Sequence, residues 1–299
     1  MATQQAQNSA SAGGTQGYQA ITIRPMTGIL GAEIEGVDLS KPTEAITAEI
    51  RQALAEYLVL VFRDQELTHD EYKDFARSLG GPLEQTRFGP PAEDEEGVLQ
   101  ILDVDGYKKH GRTNFISHID ESMDEIPNKY TLLYALEVPE AGGDTEFTNL
   151  YAAYDALSEP MKNFLSGLTS LHGTIANSEW DRIMADQAPE ILERRWSRYK
   201  DLVAHPLVTT IPETGRKQLF YNPNRSVHIP ELNQAESRSV LQFLHAHVMQ
   251  SEFTCRTHYR LKTVCLWDNR CTLHKAMTDF WSGRRRMLRI ETSGDLKPG

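Results

Sequence analysis

The sequence predicts a mainly β protein with flanking helices, built on a double-stranded β-helix, or jelly-roll, core. Three observations carry that reading. Eight short segments between residues 98 and 292 combine β-branched and aromatic residues with flanking turn residues. Only a few segments carry helical spacing or helix-opening signals. Two long polar stretches, 86–117 and 176–201, show neither pattern and read as active-site lids or solvated loops. Many short strands with few helices packed outside them suit a jelly roll.

The elements follow in order. Residues 1–17 carry no charged side chain and no long apolar run, and read as a disordered tail. One domain is expected over 18–299. Ile21-Thr-Ile23 is a first strand. Thr43 to Tyr57 is a helix, because Ile46, Ile50 and Leu54 recur at helical spacing. It runs into Leu58–Phe62, an apolar run typical of a buried strand. Thr68-His-Asp-Glu71 is a capping box, in which Thr and Glu satisfy each other's free amides. Its helix buries Tyr72, Phe75 and Leu79 and stops at Gly80-Gly81. The eight strands then fall at 98–104, 130–138, 170–174, 203–210, 218–221, 253–259, 263–268 and 286–292. Ser158-Glu-Pro160 opens a further helix. Asn233–Gln250 is another, with Val240, Leu241, Phe243 and Leu244 on its apolar side. Pro212-Glu-Thr-Gly215 is a turn between two strands.

Charge narrows the function classes. Lys and Arg total 31 against 42 Asp and Glu, a net charge of −11. Nucleic acid and anionic membrane surfaces both demand a basic footprint, so neither is an expected partner. Cys255, Cys265 and Cys271 form no C-x-x-C pair and read as reduced thiols. With no signal-peptide pattern and no transmembrane run, a cytoplasmic protein is expected.

Three places carry chemistry. In a strand, residues i and i+2 face the same side, so His118-Ile-Asp120 offers an imidazole nitrogen and a carboxylate to one cation. Taken alone the pair is also what chance produces, a surface His beside a capping Asp. His274 lies 156 residues later, inside Trp267-Asp-Asn-Arg-Cys-Thr-Leu-His274. Two His and one carboxylate form the facial triad of non-heme Fe(II) oxygenases. Third, Arg284-Arg-Arg-Met-Leu-Arg289 puts Arg285, Met287 and Arg289 on one strand face. Two inward guanidinium groups are costly to bury unless anions neutralise them, and Arg matches a carboxylate in bidentate fashion.

Together these motifs resemble the family of taurine dioxygenase and 2,4-dichlorophenoxyacetate dioxygenase. Thr27–Leu39 resembles its opening signature, and Gly142-Gly-Asp-Thr145 with Tyr151–Leu157 resembles the segment after the first metal pair. Trp267-Asp-Asn269, His274, Arg285 and Arg289 resemble the closing one. The resemblance implies a cupin-like jelly roll that uses Fe(II), 2-oxoglutarate and O2. It implies His118, Asp120 and His274 as catalytic iron ligands, with Thr145 and Arg285 on the distal carboxylate of 2-oxoglutarate. It implies Arg289 and Asn114 as substrate contacts, and Phe115 and Ser117 beside them are further candidates, as are Arg87, Phe88 and Ser122. Phe280 and Trp281 are candidates to cap the pocket. Two features depart from the family: Ser117 stands where an aromatic residue often precedes the first His, and Gln85–Phe88 offers no counterpart to the taurine-binding His and Tyr.

The implied reaction is oxidation of a small organic acid, with release of succinate and CO2. The outcome is hydroxylation, with collapse by C–O, C–S or C–N cleavage where the new hydroxyl adjoins a heteroatom. Halogenases of this kind lack the carboxylate, so Asp120 favours oxygenation or desaturation. The alternatives are a desaturase or other oxidative tailoring enzyme on an amino-acid-derived or natural-product substrate, a zinc hydrolase, and a non-catalytic metal-binding jelly roll. A homodimer or homotetramer is expected from the resemblance.

Overall fold

A computed structural model of the protein describes residues 17–86, 95–105, 116–173 and 202–299. Its largest sheet has seven strands. In spatial order they are β1 (Thr22–Pro25), β2 (Ala32–Glu35), β3 (Val59–Phe62), β13 (Val264–Asp268), β5 (Tyr130–Glu137), β15 (Arg284–Glu291) and β4 (Gln100–Asp105). Only β2 and β3 run parallel. A second sheet orders β12 (Thr254–Thr257), β6 (Thr145–Asn149) and β14 (Thr272–Ala276).

The two sheets enclose one apolar layer. Val59, Val61, Leu133, Cys265, Trp267 and Met287 from the large sheet pack with Phe147 and Cys255 from the small one. The Phe147 and Trp267 rings lie 5.3 Å apart between centroids. The other face of the large sheet is covered by α1 (Glu44–Tyr57) and α2 (His69–Ser78). There Ile50, Leu54, Tyr72 and Phe75 pack on Leu60, Phe62, Leu132, Tyr134, Leu288 and Ile290. The strand period therefore holds on β15: Met287 enters the barrel while Leu288 and Ile290 meet the helices. A third cluster joins α3 (Leu150–Asp155), α4 (Glu159–Leu165) and α5 (Gln234–Val248) to Ile119, Leu219 and Leu273.

Local expectations are met where a side chain has a defined backbone partner. Thr68 and Glu71 form the reciprocal capping box, and Thr43 caps α1 by accepting from the Ile46 amide. The Asn233 side chain and Glu236 form a second capping box at α5. The 203–210 strand is instead two, β8 (Val203–Pro206) and β9 (Val208–Thr210). Between them the Leu207 amide donates to Leu168, and the chain changes partner from β7 (Thr169–His172) to β10 (Lys217–Leu219). Phe243 is 40 % exposed rather than core-facing. All three cysteines are buried and free. The expected tail lies outside the described residues apart from Gly17, as does most of the two polar stretches. No helix among the described residues is long and apolar enough to cross a membrane.

The 212–215 turn is anchored by charge. Lys129 Nζ lies 2.9 Å and Arg270 Nη1 3.0 Å from the Glu213 carboxylate, and Arg270 Nη2 lies 2.7 Å from Asp268. Burial alone would raise the Glu213 pKa, but the Lys129 hydrogen bond and the Arg270 charge outweigh it and hold it at about 2. A carboxyl depressed on folding stabilises above its ordinary pKa of 4.5, and that contribution is lost as pH falls toward 2. Between pH 5 and pH 2, urea unfolding should therefore show wild type losing more stability than Glu213→Gln. Thr68→Ala should lower stability by about 1 kcal/mol at neutral pH through loss of the cap.

Candidate active site

The site is assembled at the β14 edge of the small sheet. His118 and His274 form an isolated antiparallel bridge: the His118 amide donates to His274 O at 3.0 Å, and the His274 amide donates to His118 O at 2.9 Å. His118 thus adds one residue to the edge of the small sheet. The chain then turns rather than continuing as the strand expected from the H-x-D pattern, with Glu121 at φ +49°. The turn, not strand alternation, brings the Asp120 carboxylate beside both rings.

The three donor atoms lie within 4.8 Å of one another. Asp120 Oδ1 is 3.4 Å from His118 Nε2, and Asp120 Oδ2 is 3.5 Å from His274 Nε2. Three donors held about 2.1 Å from one ion at right angles lie about 3 Å apart, so the set fits a single divalent cation. His118 Nδ1 is 2.9 Å from the Ile116 carbonyl, which fixes the proton there and leaves the Nε2 lone pair toward the carboxylate. Burial pushes His274 down to about 3 against the pull of Asp120, so its ring is neutral at physiological pH. Burial would raise Asp120, but the Arg289 guanidinium and the two imidazoles hold it well below the usual carboxylate range. Asp120 and His274 are thus in the protonation states a metal requires.

Side chains of Asn269, Asn222, His205 and Thr131 hold the 118–124 turn. Asn269 Oδ1 accepts from the Asp120 amide at 2.9 Å, while its Nδ2 donates to Asp120 O at 2.8 Å and to Asn128 O at 3.1 Å. Asn222 Nδ2 donates to Ile119 O at 2.9 Å and to Ser122 Oγ at 2.7 Å. His205 Nε2 lies 3.0 Å from Ser122 O and 3.1 Å from Asp124 O. Thr131 Oγ1 donates to Asp120 Oδ2 at 3.1 Å.

The two inward arginines differ sharply. Arg289 Nη2 meets Asp120 Oδ2 at 2.9 Å and Glu291 Oε1 at 2.7 Å, and its Nη1 donates to Gln100 at 3.0 Å. Burial pushes the Glu291 carboxyl up to about 8, against the opposing pull of Arg289. Arg285 is 4 % exposed. Its Nε donates to Gly143 O at 2.8 Å and its Nη2 to Thr145 Oγ1 at 3.2 Å, and the Tyr259 ring lies 5.3 Å away. No carboxylate among the described residues pairs with it. Gly143 sits at φ +74°, and a Cβ there would come within 3.0 Å of Pro139 and 3.4 Å of Arg285 Cδ. The positive φ and the close approach of Pro139 are what call for glycine here.

The remaining expected residues divide. Ser117 is buried directly before His118. Ser122 is fully buried, its hydroxyl held by Asn222. Phe280 is buried and Trp281 is 72 % exposed. Asn114, Phe115, Arg87 and Phe88 lie outside the described residues. Sequence reasoning assigned nothing to Asn222, Thr131, Tyr259 or Glu291. The period-two rule could have found Glu291, two residues after Arg289 on the same face. Nothing near Asn222 in sequence signals its reach to residue 119.

The family model described as "Taurine catabolism dioxygenase TauD, TfdA family" matches residues 22–290. A Schizosaccharomyces pombe protein provisionally named an alpha-ketoglutarate-dependent sulfonate dioxygenase is 34 % identical, over 89 % of this chain and 68 % of its own. The alpha-ketoglutarate-dependent sulfate ester dioxygenase of Pseudomonas putida is 31 % identical, over 93 % of this chain and 91 % of its own. The crystal structure of AAD-2 in complex with Mn(II) and N-oxalylglycine superposes with a TM-score of 0.73 at 29 % identity, covering 94 % of this chain and all of that one.

Removing the Asn269 amide frees Asp120 from both of its backbone anchors. Asn269→Ala should weaken Mn(II) binding about 10- to 100-fold, as measured by calorimetry on folded protein.

Proposed function

The chain belongs to the taurine catabolism dioxygenase TauD, TfdA family, and from that premise we propose that His118, Asp120 and His274 hold the Fe(II). It is a 2-oxoglutarate-dependent dioxygenase, the cosubstrate being alpha-ketoglutarate by its other name, and it acts on a small organic acid. The observation that carries the residue assignment is the pairing of two features: a His-Asp-His cluster whose donor atoms lie within 4.8 Å of one another, and a buried Arg285 with no acidic partner among the described residues. A desolvated guanidinium without an anion is unstable unless a ligand supplies one. A dicarboxylate that chelates metal at one end brings that anion at the other.

When bound, the iron and 2-oxoglutarate supply the oxidising power, activating O2 and releasing succinate and CO2. The chain's own residues orient and exclude. Arg285 and Thr145 hold the distal carboxylate, the first by charge and the second by its hydroxyl. Trp267, Phe147 and Met287 line the apolar layer beside the metal ligands and keep water from it. Arg289 fixes Asp120 and carries the positive charge that an anionic substrate meets. Among the described residues Gln100, Asp120 and Glu291 engage three of its five N–H groups, which leaves two for that substrate. Asn114, Phe115 and Ser117 complete the substrate pocket in this reading, and the assembly is a homodimer or homotetramer in the cytoplasm.

The test is anaerobic titration with Fe(II) and 2-oxoglutarate. A weak visible metal-to-ligand charge-transfer band is expected, and His118→Ala should abolish it. Turnover supported by Zn(II) alone, with no such band, would sink the reading. Arg285→Ala should leave Mn(II) affinity unchanged and weaken 2-oxoglutarate binding about 10- to 100-fold, the range for losing hydrogen bonds to a charged group. Succinate release across carboxylates, sulfonates and sulfate esters identifies the substrate class.

A further inference from the structure

We propose that Tyr259 is a positioning residue for the cosubstrate, acting through Thr145 to aim the Thr145 hydroxyl proton at the distal carboxylate of 2-oxoglutarate. The inference rests on the dioxygenase reading above and adds a residue to it.

The geometry joins three distant segments. Thr145 opens β6 and pairs with Thr257 on β12 and Ala276 on β14. Tyr259 follows β12 by two residues, and Arg285 lies on β15. Tyr259 Oη is 3.0 Å from Thr145 Oγ1, and Arg285 Nη2 is 3.2 Å from that same oxygen. Thr145 and Tyr259 are 1 % and 3 % exposed.

Donor and acceptor counting then leaves one arrangement. A hydroxyl donates one hydrogen bond and accepts two, a guanidinium only donates, and an ionised carboxylate only accepts. With the carboxylate seated, the single Thr145 proton goes to it. The Thr145 oxygen already accepts from Arg285. Tyr259 can keep its bond to Thr145 only by donating. Its phenol therefore fills the second lone pair of Oγ1, and the proton has no competing direction. Arg285 supplies the charge, and Tyr259 supplies the orientation of the neutral donor beside it. Burial pushes the Tyr259 phenol well above its ordinary pKa, so the proton it donates is present across the working pH range.

Tyr259→Phe removes the hydroxyl and keeps the ring that faces Arg285, which isolates the proposed role. With Mn(II) bound, N-oxalylglycine should bind Tyr259→Phe about five-fold more weakly than wild type, the range for one neutral hydrogen bond. Oxalate chelates the metal but has no distal carboxylate, so its affinity should not change. In a Thr145→Val background, adding Tyr259→Phe should alter N-oxalylglycine affinity less than two-fold, because the group it orients is gone. Calorimetry reads all of these without turnover. Unchanged N-oxalylglycine affinity in Tyr259→Phe overturns the proposal. So does an equal loss for oxalate, or the full loss persisting in the Thr145→Val background. If wild-type protein with Mn(II) bound oxalate but not N-oxalylglycine, the dicarboxylate reading itself would fail, and this proposal with it.

Discussion

Two guanidinium groups on one face of one strand, turned into an apolar barrel, set the terms for the rest of the site. Charge in that environment is tolerated only when an anion accompanies it. The chain gives Arg289 the Asp120 carboxylate, with the Glu291 carboxyl alongside, and gives Arg285 none among the described residues. That asymmetry divides the interior. One end is self-neutralised and built around the candidate metal ligands. The other is a buried cation that no carboxylate among the described residues pairs with, held by a carbonyl and a hydroxyl beside an aromatic ring. Along a strand, four residues span about 13 Å, so the two ends are separate subsites rather than one patch.

The metal cluster and the fold are the same hydrogen bonds seen twice. The reciprocal bridge between His118 and His274 closes the edge of the small sheet and also sets the spacing of the two imidazoles. Asn269 sits in the turn after β13 and grips Asp120 by amide and carbonyl alike. Because β13 lies at the middle of the large sheet, the Asp120 carboxylate is tied to the most buried part of the molecule. A ligand held this way loses little freedom when a metal arrives, which is how a site of three side chains from two distant segments becomes preorganised.

The legible parts of the sequence were those with a local physical signature. The capping box at Thr68 was readable because its partner Glu71 lies three residues away. The faces of β15 were readable because the strand period is two, and the bulge between Arg286 and Met287 leaves that alternation intact where it matters. The His118, Asp120 and His274 cluster was readable as a set only because the resemblance tied His274 to the His118 pair. Even there the warrant was partly mistaken. The His118 and Asp120 side chains come together through a turn at Glu121, not through strand alternation. β6 and β14 were missed as strands, since Thr-Glu-Phe-Thr-Asn and Thr-Leu-His-Lys-Ala owe their pairing to each other across more than a hundred residues rather than to apolar alternation.

By itself the sequence determined residue chemistry and short-range geometry: an acidic exterior, an inward-facing pair of arginines, capped helices, and two His with one Asp that can share a cation. Those follow from side-chain type and from periods of two and 3.6, which need no knowledge of the remote chain. Only the tertiary structure decided which carboxylate each arginine meets, that Asn222 and Asn269 hold the turn at Asp120, and that Tyr259 reaches Thr145. Those contacts depend on sheet register and on where loops of distant sequence come to rest, and hydrogen bonding satisfied across such distances leaves no local mark.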